Sequence, residues 1–203
     1  MIWIKLGILL VGFVYAGLLP YVIRKALQHI DIDLSVRTLS FIGNKSMYDP
    51  KYAKAYKRLL FASALFTYLF FWLLSRYYNL GRYEAFMQYI DYSFALITLL
   101  AFIPHNIEPY SLKTPGPTIR RLLHNLLAGV VFLALPTLII LFQAAILDDY
   151  RFLGISGLVI ICASVVIDLL SIIRNGINGF TEILFIYGIS VWTIFTTIAT
   201  FIR

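Results

Sequence analysis

Six runs of 18 to 23 mostly apolar residues decide what this chain can become: residues 2–23, 59–78, 86–103, 122–142, 153–173 and 180–202. Crossing the hydrocarbon of a bilayer takes roughly 20 residues of helix, and each run meets that length. Lipid offers no water to satisfy a backbone, so only helices or a closed barrel can span it. The period-two alternation of a barrel strand is missing, which leaves helices. The sequence therefore predicts an all-α integral membrane protein, with six transmembrane helices in one bundle and a single domain over residues 1–203. Composition agrees, since 61% of the chain is hydrophobic and 13% charged, about half the charge of a soluble domain. Connections are short except for residues 24–58, which leaves no room for a separate soluble domain. The first run has a Lys before an apolar core, as a secretory signal does, but it is long enough to span and no convincing small-x-small site follows it.

Charge suggests an orientation. Alternating loops put Arg24, Lys25, Arg37, Lys45, Lys51, Lys54, Lys57, Arg58, Lys113, Arg120, Arg121 and Arg174 on one side, and Lys5, Arg76, Arg82, Arg151 and Arg203 on the other. Twelve against five predicts a cytoplasmic long first loop and extracytoplasmic termini. The net charge of +7 needs no nucleic acid partner, because much of it lies in "KYAKAYKR". That tract is an ordinary positive-inside flank that also suits anionic head groups, with Lys51, Lys54, Lys57, Arg58, Arg120 and Arg121 as the contacts.

Polarity is lopsided across the membrane. Two of the three histidines stand in His-Asn pairs, His105-Asn106 and His124-Asn125, each where an apolar run meets a polar loop. Loop alternation brings both to the first-loop rim, with His124 expected in the first turn of the fourth helix. Glu108, Asn175, Asn178 and Glu182 reach the same rim. Asp168 lies within the fifth span, and ionisable groups inside a span usually face protein or water. Asp91 is about 14 residues from His105, some 20 Å along a helix, and belongs to the opposite half. The candidate pocket is thus His105, Asn106, Glu108, His124, Asn125, Asp168 and Glu182.

Three functions fit such a rim. The leading one is a polar pocket at the lipid interface that binds a lipid or lipid head group. An enzyme is the second, with His105 or His124 as a general base on a lipid, or His105, His124 and Asp168 around a metal. No HExxH or helically spaced His pair supports a metal, and no cofactor is predicted. The third is a homo-oligomeric pore or accessory subunit of a membrane complex, with "GISG" and "LLAGVV" as helix contacts. The plain alternative is that each His-Asn pair only satisfies loop carbonyls and helix ends. Cys162 is alone, which removes disulfide and thiolate-metal chemistry. Gly176 and Gly179 in "RNGINGF" form a helix-to-helix turn, with no strand or Lys-Ser/Thr to make a phosphate loop. Pro136 is expected to kink the fourth helix.

The stretches "LSFIGNKSMYDPKYAKAYKRLLFASALF" and "ITLLAFIPHNIEPYSLKTPGPTIRRLLHNLLAGVVFLALP" resemble a superfamily of six-helix membrane proteins. It includes the FGF-receptor-activating protein, the damage-regulated autophagy modulators and bacterial relatives of unknown function. The resemblance places Asn44, Pro104, His124, Gly129 and Phe132 at family-like positions. It implies the six-helix fold and, from the eukaryotic members, a link to lipid-anchor remodelling and membrane trafficking. Where the family has an acidic residue soon after the Pro, this chain has His105-Asn106 and only then Glu108.

Overall fold

A computed structural model describes residues 1–43, 50–103 and 115–203. Six helices account for nearly all of them: α1 Ile2–Leu27, α2 Pro50–Tyr77, α3 Glu84–Phe102, α4 Pro115–Ile146, α5 Arg151–Asn175 and α6 Gly179–Ile202. Each is long and apolar enough to cross a membrane, and the protein is a six-helix integral membrane bundle. Every helix packs on its neighbours in sequence, and α6 returns to α1, so the six close into a ring.

Several helices outrun their apolar stretches at the first-loop rim. α2 starts nine residues before the expected position 59, at Pro50, and "KYAKAYKR" is helix rather than loop. The tract is amphipathic: Ala53 and Leu59 are buried and Tyr56 half-buried, while Lys51, Lys54, Lys57 and Arg58 are exposed. That spacing lets the helix continue into the head-group layer with its cations solvated. α4 likewise begins at Pro115, a residue suited to the first helical position, and His124 lies well inside it rather than in its first turn. α4 also runs unbroken through Pro136.

A ring of six helices leaves space on its axis, and large side chains fill that space in one half only. Trp192 of α6 stacks on Phe71 of α2, with centroids 5.6 Å apart and planes at 16°. Phe70 and Phe142 meet the same indole edge-on at 6.1 and 6.0 Å, an arrangement that suits the aromatic quadrupoles. All four side chains are fully buried. The Gln143 amide holds the plug in register, accepting from Trp192 Nε1 at 2.8 Å and donating to the Leu153 carbonyl at 3.1 Å. This orientation is the one that satisfies both ends of the amide. Gly157 of α5 lies directly against Gln143, where any side chain would displace the amide.

The far rim ties both ends of the described chain together. Arg203 lies over the Tyr150 ring at 3.7 Å and Lys5 over Tyr77 at 5.7 Å, cation–π contacts at the depth where aromatic belts form. Tyr78 and Thr200 hydroxyls bond at 2.8 Å between α2 and α6.

Gln143→Leu keeps the volume but orphans the buried Trp192 N–H. We expect it to cost about 1 to 2 kcal/mol, read as a lowered unfolding midpoint in mixed micelles. An unchanged midpoint would show that the amide does not hold the plug.

Candidate functional site

Where the plug ends, a cavity begins. It measures about 140 Å³ within an empty volume of about 950 Å³ that includes its open mouth, space for on the order of ten waters. Five helices and the 3-10 turn Leu39–Gly43 line it, and α5 does not. The wall runs from Tyr56 to Thr67 on α2, from His124 to Leu135 on α4 and from Glu182 to Thr193 on α6. Each stretch covers twelve positions, eleven steps of about 1.5 Å or about 16 Å of rise. Phe70 follows Thr67 by one turn and Leu138 follows Leu135 by one, so the bottom of the cavity is the top of the plug. Its inner walls are mostly apolar, with Ile97, Val131, Leu135 and Ile189 among them; Glu182 and His124 stand at the rim end, while Tyr15, Thr67 and Thr193 stand at the plug end.

At that end three side chains from three helices line the wall, and two of them, Glu182 and Tyr56, meet the first loop. His124 is buried, and its Nδ1 lies 2.7 Å from the carbonyl of Ile103 at the end of α3. A carbonyl only accepts, so Nδ1 carries a proton and donates it to that bond. The histidine thereby clamps α4 to α3, the role the plain alternative assigns it, and still presents a ring to the cavity. Glu182 accepts from the backbone N–H of Leu39, which ties the acid of α6 to the turn that covers the mouth. Tyr56, at the start of the wall on α2, completes the group.

The first loop is a packed strap. Ile23, Ile30, Ile32, Leu39 and Ile42 form a second buried cluster, against Tyr56 and Ile183. The "RNGING" turn is its dock. Gly179 N–H donates to the carbonyls of Leu34 at 3.0 Å and Arg37 at 2.9 Å, and Asn178 Nδ2 donates to the Ser35 carbonyl at 3.2 Å. Asn178 also caps α6: its Oδ1 accepts from Thr181 N, while its own N–H donates to Thr181 Oγ1. A Cβ on Gly179 would lie 2.8 Å from the Arg37 carbonyl, so the strap sits this close only over glycine. Within the strap, Ser35 donates to Asp33 from both its N–H and its hydroxyl. These bonds hold the Asp33 carboxyl below its ordinary value. A lowered acid favours the native turn above the usual carboxylate range, and that contribution fades as pH falls through the lowered value.

Of the residues singled out from sequence, His124 and Glu182 share the cavity wall. His105, Asn106, Glu108, Lys45, Lys113, Asn44 and Pro104 lie outside the described residues. Asn125 is exposed and Asp168 is buried, and both lie off the wall. Packing of Gln143 on Gly157 and of Gly188 on Ser164 carries Asp168 to the level of Phe132 and Leu184 in the antiparallel register. Phe132 stacks on Phe185 at 4.2 Å and closes the α5 side of the cavity at that level. Asp168 Oδ1 has no hydrogen-bond partner among the described residues. Asp91 is exposed on α3. No three of the described His, Cys, Asp and Glu residues gather to hold a metal ion. The sequence pattern places Tyr56 and the strap in the long first loop, away from the candidate pocket. Their signal was present in the three-residue spacing of Ala53, Tyr56 and Leu59, and in the apolar residues Ile30, Ile32, Leu34, Leu39 and Ile42.

Compared with models of protein families, with curated proteins and with solved structures, the chain matches none.

Gly179→Leu is expected to lift the strap. Amides of residues 34–40 should then exchange with solvent at least ten-fold faster, while those of α2 and α6 near the plug keep their protection. Uniform exchange across the protein would mean that the dock supports the whole bundle instead.

Proposed function

We propose that this protein binds a lipid-like amphiphile inside its own bundle, head at the His124–Glu182 end and chain along the apolar wall. The observation that carries this reading is the cavity itself. It is blind at the aromatic plug, carries an acid and an imidazole at one end and mostly apolar residues below, and is as long as twelve helical residues on three helices. Polar-ended, mostly apolar concavities of this kind are the usual form of small-ligand sites. Its mouth lies at the depth where head groups meet acyl chains.

The basic residues serve a separate surface. Lys51, Lys54, Lys57, Arg58 and Arg120 are exposed, where they face the anionic lipid of the surrounding leaflet. By the positive-inside bias that leaflet is the cytoplasmic one, and the termini lie across the membrane. Membership of the FGF-receptor-activating protein superfamily is part of the same proposal, and it is supported by the place of the family-like residues His124 and Phe132 on the cavity wall.

Protein extracted in mild detergent should carry a stoichiometric single-chain adduct in native mass spectrometry. Ala128→Trp puts an indole into the cavity from α4, and the adduct should fall at least ten-fold while the protein stays folded. An adduct equally abundant in both proteins would place the ligand elsewhere and end this reading.

A further inference from the structure

At the far rim the seam between α5 and α6 opens into a groove of about 640 Å³, within an empty volume of about 1160 Å³ that includes its open side. We propose that this groove is a binding site for one anionic phospholipid of the leaflet at that rim, its phosphate on Arg151 and Arg203 and part of an acyl chain along α6. The site is separate from the axial cavity and does not depend on the amphiphile proposed there.

The groove faces outward from the ring. Phe152 and Ile202 on its wall are 77% and 78% exposed, Phe195 and Ala199 are half-buried, and Leu153 is buried beneath them. Contact of Gly188 with Ser164 sets α5 and α6 in an antiparallel register in which the start of one meets the end of the other, so Arg151 and Arg203 arrive at one level. From Arg203 down to Phe195 is eight steps along α6, about 12 Å of rise. An extended chain advances about 1.25 Å per carbon, given bonds of about 1.5 Å at an angle near 111°. The groove therefore seats about ten carbons of an acyl chain, and the rest of the chain lies in the bilayer.

Charge identifies the head. The far side is poor in cations, with Lys5, Arg76, Arg82, Arg151 and Arg203, and three of these are directed elsewhere. Lys5 lies over Tyr77, Arg76 over Trp72, and Arg82 pairs with Asp149 at 3.2 Å. The other two line the groove. Arg203 is stacked over the Tyr150 ring at 3.7 Å, which orients its guanidinium and leaves the N–H groups at its edge to donate. The Arg151 guanidinium has no ion pair or hydrogen bond among the described residues. Asp149 is the acid on the described wall, and it is the one Arg82 holds; Asp148 is exposed and off the wall. Three arginines against Asp149 and a carboxylate at Arg203 still leave the groove net positive. A phosphate diester brings the complementary charge in the planar, two-oxygen form that arginine forks favour. A phospholipid carries that phosphate at the depth of the aromatic belt, with an acyl chain attached below it.

The test uses the full protein in detergent micelles, with phosphatidylglycerol and phosphatidylcholine of matched oleoyl chains as probes and native mass spectrometry as the readout. Phosphatidylglycerol should bind at least ten-fold more tightly than phosphatidylcholine. Arg151→Gln and Arg203→Gln should each weaken phosphatidylglycerol about five-fold and together about thirty-fold, with a smaller loss for phosphatidylcholine. Ala199→Phe fills the groove and keeps both arginines, and it should weaken phosphatidylglycerol at least five-fold, while Ala128→Trp in the axial cavity leaves it unchanged. Equal binding of the two lipids would overturn the site. So would a loss in a Lys51→Gln, Lys54→Gln variant as large as in the arginine double variant, since the attraction would then follow net charge alone. Displacement of phosphatidylglycerol by inorganic phosphate at equal concentration would show that the arginines hold a free anion, and would overturn the lipid as occupant. A dimer in place of the adduct, lost in the arginine double variant, would assign the face to a second copy of this chain and overturn the proposal as well.

Discussion

Inside a bilayer the lipid tails are as apolar as the side chains, so helices associate through close packing and through polar groups that find one another. For a ring of six, the axis is where packing is hardest to complete. Here it is completed in one half by Trp192, Phe70, Phe71 and Phe142, with the Gln143 amide bonded to the indole and to the Leu153 carbonyl. The remaining space on the axis is then confined to the other half. A cavity closed at the bottom and polar at the top follows from where the large rings stop.

Closure of the open half is of a different kind. No aromatic plug lies there. Instead a strap bends over the helix ends, held by backbone bonds to Gly179, a side-chain bond from Asn178 and the contact of Leu39 with Glu182. Beneath it lies a second, smaller apolar cluster of Ile23, Ile30, Ile32, Leu39 and Ile42, packed against Tyr56 and Ile183. One half of the protein is closed by packed rings, whereas the other is covered by a strap held through hydrogen bonds and this cluster. The strap bonds to an acid on the cavity wall, so cover and wall are joined at Glu182.

Much of this fold was legible in the sequence because span length is a property of apolar runs alone. The ends of α2 and α4 were misplaced for the opposite reason: a helix leaving hydrocarbon becomes amphipathic, and its lysines and arginines read as loop. At the site, sequence position fixes depth along a helix but not the direction in which a side chain points. His124 and Glu182 line one cavity wall, while Asp168, at a similar depth to Glu182, belongs to the one helix that does not reach the cavity.

The central claim is that the ring is hollow from the first-loop rim down to Thr193 and solid beyond it. Single cysteines in a Cys162→Ser background, exposed to a charged thiol reagent added from one face at a time, test it most directly. Ser63→Cys and Ser190→Cys on the cavity wall should react from the first-loop face only, and Ser75→Cys and Thr200→Cys in the plugged half should resist the reagent from both. Modification of Thr200→Cys from the far face, or of Ser190→Cys from either face alike, would show an axis open where the rings should close it.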